Sequence, residues 1–228
     1  MVAHQGAHGP GVAPNSAEAI RRAVQLGSPG IELDAHRLAD GLLVAAHDDH
    51  LQVEGRQRAL IDLSWPELRA ADVALTALEE LINELAGYPG LLVFDWKGYG
   101  CEAQLAQLLR RAGLFERTLV TSIYPAVLAR LQGEVPGIAL GLSFPARVYG
   151  RLDDRAQMAA TLLDDAGAGT AALDRRLPDL RLIAERVRAH GAGLFLWTAP
   201  DLTTFAELAA LRPDGIMTDD VEAQLRSR

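Results

Sequence analysis

The sequence predicts an α/β chain of one domain, residues 1–228, closed as a (β/α)8 TIM barrel with a short antiparallel strand returning after the second barrel strand. Three observations predict it. Eight apolar runs of strand length alternate with helical patterns from end to end. No linker or low-complexity segment breaks that rhythm. The polar residues fall at the C-terminal ends of the strands, the rim where barrels hold their sites.

The elements follow in order. The first strand is expected near 2–6 and ends on His4-Gln5-Gly6. Asn15-x-x-Glu18 fits a capping box that opens a helix near 16–26, closed by Gly27. A strand near 30–36 runs into an Asp40-Gly41 turn. The connection is too short for a parallel crossover, so residues 42–48 must return antiparallel. A helix near 75–86 stops at Gly87-Tyr88-Pro89 and leads to a strand near 91–97. Helices near 101–112 and 125–132 flank a strand near 118–123, with Gly113 and Pro136-Gly137 as punctuation. Strands near 138–144, 170–174, 193–198 and 214–218 then alternate with helices near 153–166, 178–190, 201–211 and 220–226. The rival fold, a doubly wound sheet, wants Gly-x-Gly-x-x-Gly opening a helix after the first strand. Gly6-Ala7-His8-Gly9-Pro10-Gly11 does not fit that pattern, and the chain has no phosphate-binding Gly-Lys-Ser/Thr loop.

Composition narrows the function. Apolar residues make up 49% of the chain and charged residues 23%, ordinary for a globular protein with a full core. A formal net charge of −8 argues against nucleic acid as a partner. The single cysteine, Cys101, excludes an internal disulfide and a cysteine-built zinc site. The N-terminus has no basic stretch followed by an apolar run, and no segment has the length of a membrane span. A cytoplasmic protein without stable membrane association is expected; the oligomeric state stays open. Lys97 is the only lysine among cations that are otherwise arginine. A lone lysine at a strand end suggests that a compact point charge is needed there.

Strand alternation places Glu32 and Asp34 on one face. A turn centred on Asp40-Gly41 would bring His47 roughly opposite Asp34. Asp95 ends the next parallel strand, with Lys97 on the same face two residues on. Acids crowded on one barrel face repel each other unless a cation lies between them, and carboxylate donors select Mg²⁺ or Ca²⁺. An Asp95–Lys97 ion pair is compatible with that role. His4 and His47 are the candidate proton-transfer groups. Asn15 has two readings, helix cap or substrate contact, and Trp197 either lines the barrel mouth or fills its core. His8, His36, His50 and His190 are read as surface residues or as supports of the site.

In this order these residues resemble the glycerophosphodiester phosphodiesterase family. The matching stretches are His4-Gln5-Gly6, Ala13-Pro14-Asn15-Ser16, Glu32-Leu33-Asp34, Asp40-Gly41 through His47-Asp48, Leu75-Thr76-Ala77-Leu78-Glu79-Glu80-Leu81, Asp95-Trp96-Lys97, Thr121-Ser122, Trp197-Thr198 and Thr218-Asp219. The resemblance implies a metal-dependent phosphoric diester hydrolase acting on a small glycerophosphodiester to give glycerol 3-phosphate and an alcohol. By it, Glu32, Asp34 and Asp95 would hold a divalent cation, Mg²⁺ or Ca²⁺. His4 and His47 would be the general acid–base pair, Lys97 would contact the phosphate, and Gln5, Asn15 and Trp197 would border the substrate. Three positions depart from the family pattern: Gln5 stands for an arginine, Pro14 for a glutamate and Asp95 for a glutamate. The last change is similar to the related spider-venom phospholipase D branch, which cyclises lipid substrates. A phospholipase D-like enzyme for lysophospholipids is therefore one alternative, and a non-catalytic barrel that binds a phosphorylated ligand is another.

Overall fold

The computed structural model describes residues 1–227. Eight parallel strands form the predicted barrel: Val2–Ala3, Gly30–Arg37, Leu91–Trp96, Thr118–Ser122, Ala139–Phe144, Thr170–Asp174, Gly193–Ala199 and Gly215–Thr218. The first strand pairs with both the second and the eighth, which closes the ring. Its main chain leaves the strand after two residues, earlier than expected, because Gln5 (φ 54°) and Gly6 (φ 80°) take left-handed conformations. At Gly6 the turn passes so close to the next helix that an added Cβ would lie 2.8 Å from the Ala19 main chain, so glycine is required there.

Side chains alternate in and out along each strand. On the second strand Ile31, Leu33 and Ala35 belong to the layer between strands and helices, while Glu32 and Asp34 point into the barrel. Deeper in the barrel, Val2, Val93, Leu119, Ala172, Phe195 and Met217 form a small apolar plug, with Trp197 against it. A dry floor below a polar rim is the consequence.

The antiparallel return is Leu43–Ala45, paired on its far side with Thr76–Ala77. Its register differs from expectation. Ala35 faces Ala45, so one step further along Asp34 is faced by Ala46 and not by His47. The cause is a three-residue turn, Ala39-Asp40-Gly41, bounded by hydrogen bonding between Leu38 and Leu42. Gly41 takes the left-handed position at φ 85°, as such turns require. His47 therefore lies beyond the strand, on an exposed loop.

Several elements carry no expectation from the sequence. They are the hairpin His50–Val53 with Arg56–Ala59, the helix Trp65–Ala70 and the short helix Ala146–Tyr149. Ser64 and Glu67 form a capping box at the start of Trp65–Ala70, a local signal legible in the chain. The expected cap at Asn15 is replaced by Ser16, whose hydroxyl accepts from the Ala19 main chain at 3.2 Å. Among the described residues no helix is long and apolar enough to cross a membrane.

Candidate active site

At the C-terminal rim of the barrel lies a cleft of about 390 Å³. It brings together His4, Glu32, Asp34, His47, Asp95, Lys97 and Trp197 from the predicted set. Gln5 and Asn15 are buried beside it and are engaged by the acids. Gln5 donates its main-chain N–H to Glu32 (2.8 Å) and its side-chain amide to Asp34 (2.6 Å). Asn15, left-handed at φ 56°, turns its amide inward to Asp34, which is why it does not cap the helix.

Asp34 and Asp95 face each other in the register of adjacent strands. Lys97 bridges them, with Nζ 2.8 Å from Asp34 and 2.6 Å from Asp95. Thr121 (2.9 Å) and Ser143 (3.3 Å) donate to the other oxygen of Asp95. Burial works against the Lys97 ammonium, yet the charges of Asp95 and Asp34 raise its pKa. Burial likewise opposes the Asp34 carboxylate, and Lys97 and Asn15 lower its pKa despite it.

Glu32 has no such partner. It accepts the Gln5 N–H, and the nearest cationic group is His4 Nε2 at 4.0 Å. Burial first, and the charge of Asp34 second, push its carboxyl up to about 8. Glu32, Asp34 and Asp95 crowd one side of the cleft, and every donor in the set is a hard oxygen. Glu32, Asp34 and Asp95 thus fit a divalent cation of the Mg²⁺ or Ca²⁺ type. The three acids do not close on a common point here, with the Lys97 ammonium seated between two of them. Among the described residues, the potential ligand atoms that lie within 4.8 Å of one another belong to His4, His8 and Asp219. That cluster is hydrogen-bonded: Asp219 Oδ1 is 2.7 Å from His4 Nδ1 and 3.2 Å from His8 Nε2.

Asp219 is the residue that sequence reasoning leaves without a role. Thr218-Asp219 is visible as a polar strand end, but only closure of the ring sets it beside His4. It fixes His4 through Nδ1 and leaves Nε2 toward the cleft. Burial disfavours the His4 imidazolium, but the Asp219 hydrogen bond and the charges of Glu32, Asp219 and Asp34 outweigh it, raising His4 to about 9. His8 shares the same carboxylate oxygen, and His36 is buried in the cleft wall rather than at the surface. His47 is 61% exposed, and its Nδ1 lies 2.8 Å from Asp48. Trp197 meets both expectations, since it lines the cleft, packs on the apolar plug and donates Nε1–H to the Ala172 carbonyl.

Residues 4–93 match the model of the glycerophosphoryl diester phosphodiesterase family. The chain resembles this family over that stretch, about two fifths of its length. The matched stretch holds His4, Glu32, Asp34 and His47, and Asp95 and Lys97 follow just beyond it. A glycerophosphodiester phosphodiesterase of Caldanaerobacter subterraneus is 25% identical over an alignment covering 97% of this chain and 94% of that protein. A putative glycerophosphodiester phosphodiesterase of Bacillus subtilis is 26% identical, covering 96% of this chain and 93% of its own. In fold, the chain resembles the glycerophosphodiester phosphodiesterase structure from Parabacteroides distasonis (TM-score 0.80, 21% identity, 100% of this chain and 96% of that one). It also resembles an Oleispira antarctica phosphodiesterase solved with the product sn-glycerol-3-phosphate (TM-score 0.79, 19% identity, 99% and 94%). The chain therefore shares a barrel of the same architecture with both.

Proposed function

We propose that this chain hydrolyses glycerophosphodiesters to glycerol 3-phosphate and an alcohol, with His4 and His47 as the acid–base pair beside a divalent cation held by Glu32, Asp34 and Asp95. The observation behind this reading is the convergence of His4, three acids and Lys97 on one cleft, in a chain whose residues 4–93 match the family model. His4, raised to about 9, is protonated at neutral pH. It is the natural donor to the departing alkoxide, with Asp219 stabilising the imidazolium through Nδ1. His47 takes the proton of the attacking hydroxyl: that of water, giving glycerol 3-phosphate directly, or that of the substrate's own glycerol, giving a cyclic phosphate that water then opens to glycerol 3-phosphate. The new P–O bond forms as the bond to the leaving oxygen breaks, and the proton from His4 completes the alcohol.

Lys97 has three N–H donors and uses two on Asp34 and Asp95, which leaves one for a phosphoryl oxygen. A divalent cation, when bound, would offset the charge that grows on the non-bridging oxygens. Gln5 and Asn15 act here as positioning residues that orient Glu32 and Asp34, in place of the direct substrate contact that the resemblance implies. A small, water-borne phosphodiester suits a cleft of this size and polarity.

The test is turnover of glycerophosphocholine with added Mg²⁺ or Ca²⁺, the products identified by phosphorus NMR. Acid–base help of this kind is worth about 10²–10⁴-fold in rate, so His4→Ala and His47→Ala should each lose activity on that scale. Activity that survives both changes removes the acid–base assignment. Turnover of lysophospholipids alone, with a cyclic product, would replace the hydrolytic reading by the phospholipase D-like one.

A further inference from the structure

The cleft is electrically lopsided. Glu32, Asp34, Asp95 and His4 lie on or just after the first three strands, with Asp48 and Asp49 on the loop beside them, while Arg147 and Arg176 border the rim after the fifth and sixth, on the far side of the ring. Lys97 is engaged by two carboxylates. Arg176 is engaged by Asp174, with Nε and Nη2 at 2.9 and 2.8 Å from its two oxygens. Among the described residues lining the cleft, Arg147 is the one arginine or lysine with no acidic partner and no hydrogen bond.

The backbone that presents Arg147 is nevertheless fixed. The buried Asp174 carboxylate accepts from the Ala146 main-chain N–H at 2.9 Å, the residue before Arg147, while it also accepts from the Arg176 main chain at 3.0 Å. Tyr149 closes the same short helix by packing against Phe144, the two rings tilted by 53° with centroids 4.9 Å apart. One buried acid thus anchors two neighbouring rim segments, each bearing a guanidinium. Two of the five N–H donors of Arg176 are used on Asp174, and all five of Arg147 remain free for a ligand.

We propose that Arg147, seconded by Arg176, is the anion-binding edge of the cleft and receives a negatively charged oxygen group of the substrate. This rests on the hydrolytic reading above. A guanidinium suits the chemistry, because its planar fork meets phosphate or carboxylate oxygens two at a time. That group has two sources, the phosphoryl oxygens common to all these diesters or an acid carried by the alcohol part.

Arg147→Ala, Arg147→Lys and Arg176→Ala are the variants to compare. Kinetics on glycerophosphoethanolamine and glycerophosphoserine, which differ by one carboxylate, separate the sources, and calorimetric binding of sn-glycerol 3-phosphate gives a readout independent of turnover. Arg147 makes no hydrogen bond or ion pair within the free protein, so Arg147→Ala should fold normally. Removing a charge-assisted hydrogen bond to the substrate raises KM about tenfold or more with little change in kcat. An equal rise on both esters, with weaker glycerol 3-phosphate binding, assigns the edge to the phosphate. A rise confined to the serine ester assigns it to the alcohol's acid. Lysine should recover part of the loss. Unchanged KM for both esters and unchanged glycerol 3-phosphate affinity in Arg147→Ala overturn the proposal. If the wild type turns over neither ester, the hydrolytic reading fails by itself, and the binding measurement still decides whether Arg147 holds an anion.

Discussion

Asn15 and Asp34 hold each other by two reciprocal hydrogen bonds. Asn15 Nδ2 donates to Asp34 Oδ2 at 2.9 Å, and the Asp34 main-chain N–H donates to Asn15 Oδ1 at 3.1 Å. Both residues are buried, so breaking either bond leaves a polar group without water to replace its partner. Asn15→Gly keeps the left-handed backbone available and removes only the side chain. We expect it to cost about 1–3 kcal/mol in urea unfolding, with a loss of cation affinity. A glycine variant as stable as wild type would mean that the pair does not hold the site.

As a ligand of the proposed cation, Glu32 would tie cation binding to proton release. Burial and the Asp34 charge push its carboxyl up to about 8, so at pH 7 the cation-free protein holds a proton there that a cation must displace. Calorimetry of Mg²⁺ or Ca²⁺ binding in two buffers of different ionisation enthalpy should show close to one proton released per cation at pH 7. The release should fade as the pH rises past about 8, where the carboxyl is already ionised. Binding without proton release at pH 7 would take Glu32 out of the ligand set.

Removing Lys97 should destabilise the free protein and spare the loaded one. In Lys97→Met the carboxylates of Asp34 and Asp95 face each other with no positive charge between them. Breaking a buried pair on one side typically costs about 3–5 kcal/mol. Thermal unfolding with and without divalent cation is the measurement. A large drop in Tm without cation and substantial recovery with it are expected. An equal drop in both conditions would place the cation elsewhere.

Asp219 sets the titration of His4. In the cation-free wild type the His4 ring should titrate near 9 by NMR. Asp219→Asn removes an anion while the penalty of burial remains, so the pKa must fall toward or below the ordinary 6.5. The folded value lies above the unfolded one. The stabilisation from His4 is therefore full below about pH 6.5 and is lost as the pH rises to about 9. Asp219→Asn should flatten that part of the stability profile and lower kcat more than it raises KM.

His47 offers the contrast, for it is exposed and stands outside the strand ladder. His47→Ala should alter unfolding stability by no more than about 0.5 kcal/mol while abolishing most turnover. A large stability loss would show that His47 serves the fold rather than the chemistry.

The barrel is legible in the sequence because its signal is redundant. Each strand is marked by its own apolar run, its own glycine or proline stop and a polar terminus, so an error in one leaves the others standing. The same alternation puts Glu32, Asp34, Asp95 and Lys97 on the inner face. Local signals mislead where tertiary partners override them. Asn15 reads as a cap, yet Asp34 draws its side chain inward and Ser16 caps instead. The hairpin register differs by one residue because Asp-Gly suggests a two-residue turn, while Asp40 accepts from both Leu42 and the distant Trp65 main chain in a three-residue one. Asp219 and Asp174 cannot be assigned from spacing at all. Their partners lie 215 residues away in the first case and, for Ala146, 28 residues away in the second.

The two-residue first strand has a consequence for assembly. It hydrogen-bonds on one side to strand eight and on the other to strand two, so it is the last seam to join when the chain folds in order. A half-finished barrel could already hold the acids and Lys97, all within the first 97 residues. It could not orient His4, because the carboxylate that does so arrives with the final strand. The seam makes the His4–Asp219 pair a checkpoint: His4 is held through Nδ1 only when the ring is whole, so under the proposed reading the acid of the pair is the last part of the site to be set.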